Sequence, residues 1–228
     1  MKLYDKLIAK AIQQRTPPAT VIKDVIRQKG YPVFENGLYN LNMGIIRNAN
    51  RVANTFDDLI YIIYKMGTAE HAFEVCKTYE ATADPGLDHL VNPTFPEAIR
   101  GGSAILAEGY YRGLWKVGFF HGRRALLPRT KVWVYRDKNK NNSLDLDPKT
   151  LQHIDAGILM HESYQGVETA GLVGRSSAGC QVPASKKDME EIVTIVTEAE
   201  KYYPNSGVSY AVLNESDFKF DIRNNPAV

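Results

Sequence analysis

Residues 59–65 read Leu-Ile-Tyr-Ile-Ile-Tyr-Lys. Positions 60–64 are all β-branched or aromatic, which suits a pleated, buried strand and costs rotamer freedom in a helix. The turn Met66-Gly67-Thr68 follows, and residues 72–79 alternate like a return strand. Their Ala and Glu content keeps a helix over 68–80 as the competing reading. Further strand-length runs lie at 39–46, 104–106, 114–120, 131–136, 155–161 and 208–213. Ala83-Asp84-Pro85-Gly86 is a turn, and residues 87–102 show no period and read as loop. Gly109-Tyr110-Tyr111-Arg112-Gly113 reads as a loop that exposes two aromatic rings.

Helical periodicity is confined to the two ends of the chain. Leu3, Leu7, Ile8, Ala11 and Ile12 mark an amphipathic helix over residues 1–15, interrupted by Pro17-Pro18. A second helix is predicted over 19–28, with Gly30 as its stop. The clearest helix follows Ser185, where Met189, Ile192, Val193, Val196 and Ala199 form one apolar face. Ser185 is placed as its N-cap, with Asp188 three residues on. Many strands and few helices predict an α+β, mainly β fold. Residues 1–30 are expected to be a helical N-terminal extension, either packed on the main body or free to bind, and residues 31–228 the main domain.

The charge balance, 28 Lys+Arg against 26 Asp+Glu, argues against a surface built mainly to grip nucleic acid. No apolar run approaches the ~18 residues of a membrane-spanning helix. The amphipathic start lacks the apolar centre of a secretory leader, so the chain is expected to be cytoplasmic at synthesis and to act outside only by another route. Two cysteines, Cys76 and Cys180, do not make a disulfide framework. Neither G-x-G-x-x-G nor a P-loop occurs, and no cofactor is called for.

Chemistry concentrates in residues 161–182, HESYQGVETAGLVGRSSAGCQV. A histidine ends an apolar run, and a Gly- and Ser-rich turn leads into Cys180. Small residues let a substrate approach the sulfur, and backbone N–H groups in such a turn can face a developing oxyanion. A thiol with a free pKa of ~8.5 needs a nearby base to become a nucleophile at neutral pH. His161 is the candidate base, and Cys76, on a strand, is expected to be the less reactive thiol. The bland reading of such a pair is a buried apolar cysteine and a polar histidine.

The segment resembles the active-site signature of the L,D-transpeptidase (YkuD-like) catalytic domain. That signature is a His, a variable stretch, and then Ser-His-Gly-Cys followed by a hydrophobic residue and Arg. His161, Ser177, Gly179 and Cys180 match it, and Gly174-Arg175 matches a frequent Gly-Arg before it. The chain departs from it at Glu162 (Gly in the family), Ala178 (the second His) and Gln181-Val182 (the hydrophobic-Arg pair). The closer resemblance is to a divergent phage-like branch with a SAGCQV ending. Ala83-Asp84-Pro85-Gly86, the run from Gly109 to Gly118 and the run from Val134 to Asn139 match further blocks of that branch in order.

The resemblance implies a YkuD-like β-sheet core with a helix after the cysteine, and peptidoglycan stem peptides as partner. It implies Cys180 as nucleophile and His161 as base. Backbone N–H groups near Gly179 and Cys180 would form an oxyanion hole, and Ser177 would orient the turn or polarise His161 through its carbonyl. It favours hydrolysis of the cell wall, endolysin-type, with L,D-transpeptidation as the other outcome. Tyr110, Tyr111 and Arg112, with Trp115 nearby and Arg175 in the turn, are the candidate substrate-binding residues.

Two other sites are weighed. Asp137, Asn139, Asn141 and Asp145 follow the oxygen spacing of a calcium loop, but Pro148 stands where the bidentate Glu belongs. A zinc peptidase or amidase would have to use distant ligands such as Asp84, His89 and His161. A non-catalytic wall-binding or phage structural module is the remaining alternative.

Overall fold

The computed structural model describes residues 17–164 and 170–218, and the helix expected over residues 1–15 lies outside them. The described chain is α+β and mainly β. Helix α1 (Ala19–Gln28) is preceded by Pro18, and Gly30, at φ +74°, breaks it. Strands β1 (Asn42–Arg47), β2 (Asp58–Gly67) and β3 (Ala72–Thr82) follow. The predicted hairpin forms, with β2 and β3 paired from Asp58↔Ala81 to Gly67↔Ala72, so the competing helix over 68–80 does not occur.

The run at 59–65 does not alternate in polarity because both faces of β2 are covered. Ile60, Ile62 and Tyr64 enter the main core, while Tyr61 and Ile63 face a second cluster under α1. That second cluster takes Ile22, Val25 and Ile26 from the helix and Ile46, Ala211 and Leu213 from the sheet. Residues 19–28 are therefore a layer of the fold. The expectation of a free binding extension is corrected for this helix.

Residues 87–102 are not loop. They form two short helices, α2 (Leu87–Val91) and α3 (Pro96–Gly101). Pro96 lies in the first turn of α3, and Gly102, at φ +94°, caps its end. The residues read as breakers thus start and stop a helix. Next come β4 (Ser103–Leu106), β5 (Gly109–Phe120), β6 (Arg123–Pro128), β7 (Val132–Asp137) and β8 (Gln152–Ile154). The segment 109–113, expected as loop, belongs to β5. Gly113, at φ +58°, lies against the Ser206 carbonyl beside a register shift in the pairing with the last strand, a bulge that only looked like a turn in the sequence.

The chain ends its described course with β9 (Val182–Pro183), α4 (Lys186–Tyr202) and β10 (Val208–Asn214). Ser185 caps α4 as predicted, its Oγ accepting from the Asp188 N–H at 3.4 Å. Met189, Ile192, Val193, Val196 and Ala199 are all buried in the main core. The large sheet runs β6-β5-β10-β1-β2-β3-β9; β1 and β10 are parallel and every other pair is antiparallel. A smaller sheet, β4-β7-β8, lies beside it.

One residue ties the two edges of the large sheet together. Met160 bridges antiparallel to Leu126 of β6 and parallel to Gln181, immediately before β9. Both hydrogen bonds of the first bridge are short, Leu126 N–H to the Met160 carbonyl at 2.8 Å and the reverse at 3.0 Å. The expected strand over 155–161 is thus a single bridging residue that closes a curled sheet. Among the described residues no helix is long and apolar enough to cross a membrane.

If α1 is a structural layer, Ile22→Ala lowers global stability by about 2–5 kcal/mol. Urea unfolding followed by tryptophan fluorescence and far-ultraviolet circular dichroism should show one shifted transition. An unchanged midpoint would mean that α1 is an appendage after all.

Candidate active site

The closing bridge sets the site. In the parallel register Met160↔Gln181, the Gln181 N–H donates to the Leu159 carbonyl at 2.8 Å and the His161 N–H to the Gln181 carbonyl at 3.2 Å. Side chains alternate along extended chain, so Met160 and Gln181 point into the core while Cys180 and His161 share the opposite face. Neighbouring strands lie ~4.8 Å apart, which puts the two Cβ atoms on a diagonal of roughly 8 Å that a thiol and an imidazole can span. Nineteen residues of sequence separation are removed by one bridge.

His161 is buried, and its Nδ1 lies 2.8 Å from the Glu162 carbonyl oxygen. A carbonyl only accepts, so in the neutral ring the proton sits on Nδ1 and Nε2 is the free base. Burial, with the charge of His121 second, pushes the imidazole down to about 4. Burial also pushes the half-buried Cys180 thiol up to about 11, against a stabilising 3.5 Å hydrogen bond from the Leu159 N–H to Sγ. Burial thus disfavours the charged form of each group.

The turn before Cys180 is held from several sides. Ser177 Oγ accepts the Gly179 N–H at 3.0 Å and donates to the Cys180 carbonyl at 2.8 Å. Ser177 therefore orients the turn. It does not polarise His161, because its carbonyl accepts the Gly86 N–H at 2.9 Å and the ring bonds to Glu162 instead. The Gly179 N–H, taken by Ser177, is not available as an oxyanion donor. The Cys180 N–H makes no hydrogen bond among the described residues, and it is the donor left for that task. Gly179 itself is obligatory: φ is +123°, and a Cβ would lie 2.1 Å from the Ala104 carbonyl oxygen. Ser176 binds the other side, its Oγ 2.8 Å from Ser163 Oγ and accepting the Tyr164 N–H at 3.1 Å.

Behind the turn lies a buried polar group of residues. Asp58 accepts the Ala83 N–H at 2.7 Å and the Asn48 N–H at 2.8 Å, and Arg47 Nε donates to Asp84 at 3.2 Å. Burial raises the pKa of both carboxyls, with Arg47 opposing it. These contacts fix the turn 83–86, whose Gly86 approaches Gly174 so closely that a Cβ would meet its carbonyl oxygen at 1.8 Å. Gln181 is fully buried and accepts from the Tyr210 hydroxyl at 3.2 Å. Its departure from a hydrophobic residue is thus met by a partner on β10.

Four residues at the site carried no signal in the sequence. Tyr164 stacks on His161 with ring centroids 4.8 Å apart, and Phe120 lies 5.3 Å from the same ring. His121, at φ +48° in the β5–β6 tip, packs on Phe120. Arg123 pairs with the buried Glu162. Tyr164 is pushed up to about 12 by burial first and by its neighbour Cys180 second. Only the cluster Phe-Phe-His-Gly-Arg-Arg between two strands could have drawn attention to them.

The expected groove residues are placed elsewhere. Tyr111 is buried, its hydroxyl donating to the Ala107 carbonyl at 2.8 Å, and Trp115 is fully buried in the core. Tyr110 stacks on Tyr31 beneath the helix layer, at 5.8 Å. Arg112 is exposed, eight residues before Phe120 on the same strand. Of the three, Tyr111 is corrected to a core residue. Arg175 does lie in the turn, exposed, 3.8 Å from Asp88 and with its carbonyl 3.2 Å from His89 Nε2.

The oxygens of the supposed calcium loop serve its own backbone. Asp137 accepts from Asn139 and Asp145, Asn139 from Asn141, and Asn141 from Ser143. Asp84 is engaged by Arg47 and His89 lies on the Arg175 carbonyl, so the ligands suggested for zinc do not converge. No group of three His, Cys, Asp or Glu side chains among the described residues is placed to hold a metal ion. Comparison with known proteins returned no matching family model, no matching characterised protein and no matching solved structure.

Burial raises the pKa of both thiols, and exposure favours Cys76 as the one a reagent reaches first, the opposite of the order expected from the sequence. Cys76 is exposed on β3, while Cys180 is half-buried with a strongly raised pKa. At pH 8, iodoacetamide followed by peptide mapping should modify Cys76 before Cys180, and the Cys180 rate should keep climbing beyond pH 9. Rapid modification of Cys180 at pH 7 would show that the thiol and His161 form an ion pair.

Proposed function

We propose that the chain is a cysteine-dependent acyl-transfer enzyme of the L,D-transpeptidase-like type, acting on peptidoglycan stem peptides with water as the preferred acceptor. The observation that carries this reading is the Met160–Gln181 bridge, which sets a thiol and a histidine with a free Nε2 on one face of the closed sheet edge. The Ser-x-Gly-Cys turn and its resemblance to a family signature supply the substrate class.

In this reading Nε2 of His161 takes the Cys180 thiol proton as Sγ attacks the peptide carbonyl. The oxyanion develops beside the Cys180 N–H. The C–N bond then breaks, and the imidazolium returns its proton to the leaving amine. Water, deprotonated by the same nitrogen, attacks the thioester; the C–S bond breaks and the proton goes back to sulfur. An amine in place of water gives transpeptidation by the same steps. Glu162 supports the base through its carbonyl, which stabilises the imidazolium formed in each half-reaction.

Purified muropeptides incubated with the wild type should change mass, and Cys180→Ala and His161→Gln should each reduce the rate by at least ~10³-fold with an unchanged circular dichroism spectrum. Full activity in either variant would remove this mechanism, and no mass change together with inertness of Cys180 would favour a non-catalytic module. The pH profile has its own signature. The base works when neutral, and His161 is depressed to about 4, so kcat/KM should rise through pH ~4 and be near its plateau by pH 6. A half-maximum near the ordinary histidine value of ~6.5 would mean that the ring is not desolvated in the free enzyme.

A further inference from the structure

His161 is only 4% exposed, whereas Tyr164, the ring stacked on it, is 41% exposed. The two planes lie within 24° of parallel, with centroids 4.8 Å apart. Tyr164 is therefore the layer between one face of the imidazole and solvent. Phe120 extends that layer from the β5–β6 tip. Its centroid is 5.3 Å from His161 and 6.1 Å from Tyr164, so the three rings meet in one triangle. His121 borders the triangle, 4.3 Å from Phe120 and edge-on to Tyr164 at 6.0 Å.

Stacking covers a face and not an edge. Both imidazole nitrogens hold their protons and lone pairs in the plane of the ring. The Nδ1 edge is taken by the Glu162 carbonyl at 2.8 Å. A ring on the face keeps water off the imidazole without blocking the Nε2 edge, where a base must act. The backbone of Tyr164 is fixed from the other half of the site. Its N–H donates to Ser176 Oγ at 3.1 Å, and Ser176 belongs to the turn that carries Cys180. The turn of the thiol thereby anchors the cover of the histidine.

We propose that Tyr164 is a positioning residue of the site: its ring fixes the His161 imidazole and shields one face from water, while the Nε2 edge stays open. The role in turnover rests on the proposed acyl-transfer function and deepens it. The charged and titratable groups around the imidazole are His121 at the β5–β6 tip, Cys180 beside the bridge, the Tyr164 hydroxyl, and Arg123 paired with Glu162. Burial outweighs the charge of His121 in pushing the imidazole down to about 4. Removing the cover therefore changes the larger of the two causes.

The test follows the His161 ring resonances by NMR against pH in the full-length chain, with His161→Gln to assign them among the five histidines. It needs no turnover. Tyr164→Ala should move the midpoint from about 4 to above ~5, toward the ordinary ~6.5. Tyr164→Phe keeps the ring and should leave the midpoint in place. His121→Gln removes the neighbouring charge and should move it less than Tyr164→Ala does. If Tyr164→Ala unfolds, Tyr164→Gln, a long side chain without a ring, takes its place. An unmoved midpoint in the ringless variant, an equal move in Tyr164→Phe, or a larger move in His121→Gln overturns the assignment. Where the wild type turns over muropeptides, the half-maximum of kcat/KM should shift with the NMR midpoint, which a merely structural tyrosine would not cause. The expected NMR shifts without turnover by the wild type would support the cover and sink the acyl-transfer reading alone.

Discussion

A single parallel bridge between Met160 and Gln181 carries the architecture. It joins the two edges of a seven-stranded sheet, and it decides which side chains share a face. The residues inside the bridge, Met160 and Gln181, belong to the core. Those flanking it, Cys180 and His161, are turned outward together. Closure of the sheet and assembly of the candidate pair are thus one event, and neither side chain needs a dedicated element to position it.

The turn that carries Cys180 is rigid for reasons that lie deeper in the fold. Asp58, Asp84 and Arg47 fix the neighbouring turn 83–86, and Gly86 passes that order on through the Ser177 carbonyl. Ser177 then closes the turn on itself, and Ser176 stitches it to the segment after His161. Buried carboxyls are costly groups, and their use here is specific: Asp58 accepts the backbone N–H groups of Asn48 and Ala83, and Asp84 accepts from the Arg47 guanidinium. The turn is built on hydrogen-bonded backbone on both sides, and Phe120 from the β5–β6 tip packs on the His161 ring.

Elements whose signal was local were legible in the sequence. The β2–β3 hairpin, α1 and α4 with its Ser185 cap follow from β-branched content, helical period and capping chemistry. Elements that depend on tertiary partners were not. Residues 109–113 looked like a loop because Gly113 serves a bulge, and α3 was hidden because its proline and glycine looked like breakers. Cys180, His161, Ser177 and Gly179 were singled out by composition and resemblance; Ser177, Gly179 and Cys180 share one hydrogen-bonded turn, and His161 follows the residue that bridges to Gln181. Tyr111 was misplaced because a tyrosine hydroxyl that satisfies a buried carbonyl has the same one-dimensional signature as one that meets a ligand. Phe120, His121, Arg123 and Tyr164 were invisible because their role comes from the closure of the sheet, which no local pattern announces.

The order of strands also governs when this protein can exist. β10 lies between β5 and β1, yet it is the last strand of the described chain to leave the ribosome. Until it arrives β5 and β1 have no partner between them, and β6-β5 meets β1-β2-β3-β9 only through the Met160 bridge. The Tyr210 hydroxyl that satisfies the buried Gln181 arrives with it. Such non-local pairing is slow, and it leaves strand edges open during synthesis. A nascent chain therefore carries Cys180 well before the sheet around it is complete, and completion waits until synthesis has passed residue 214.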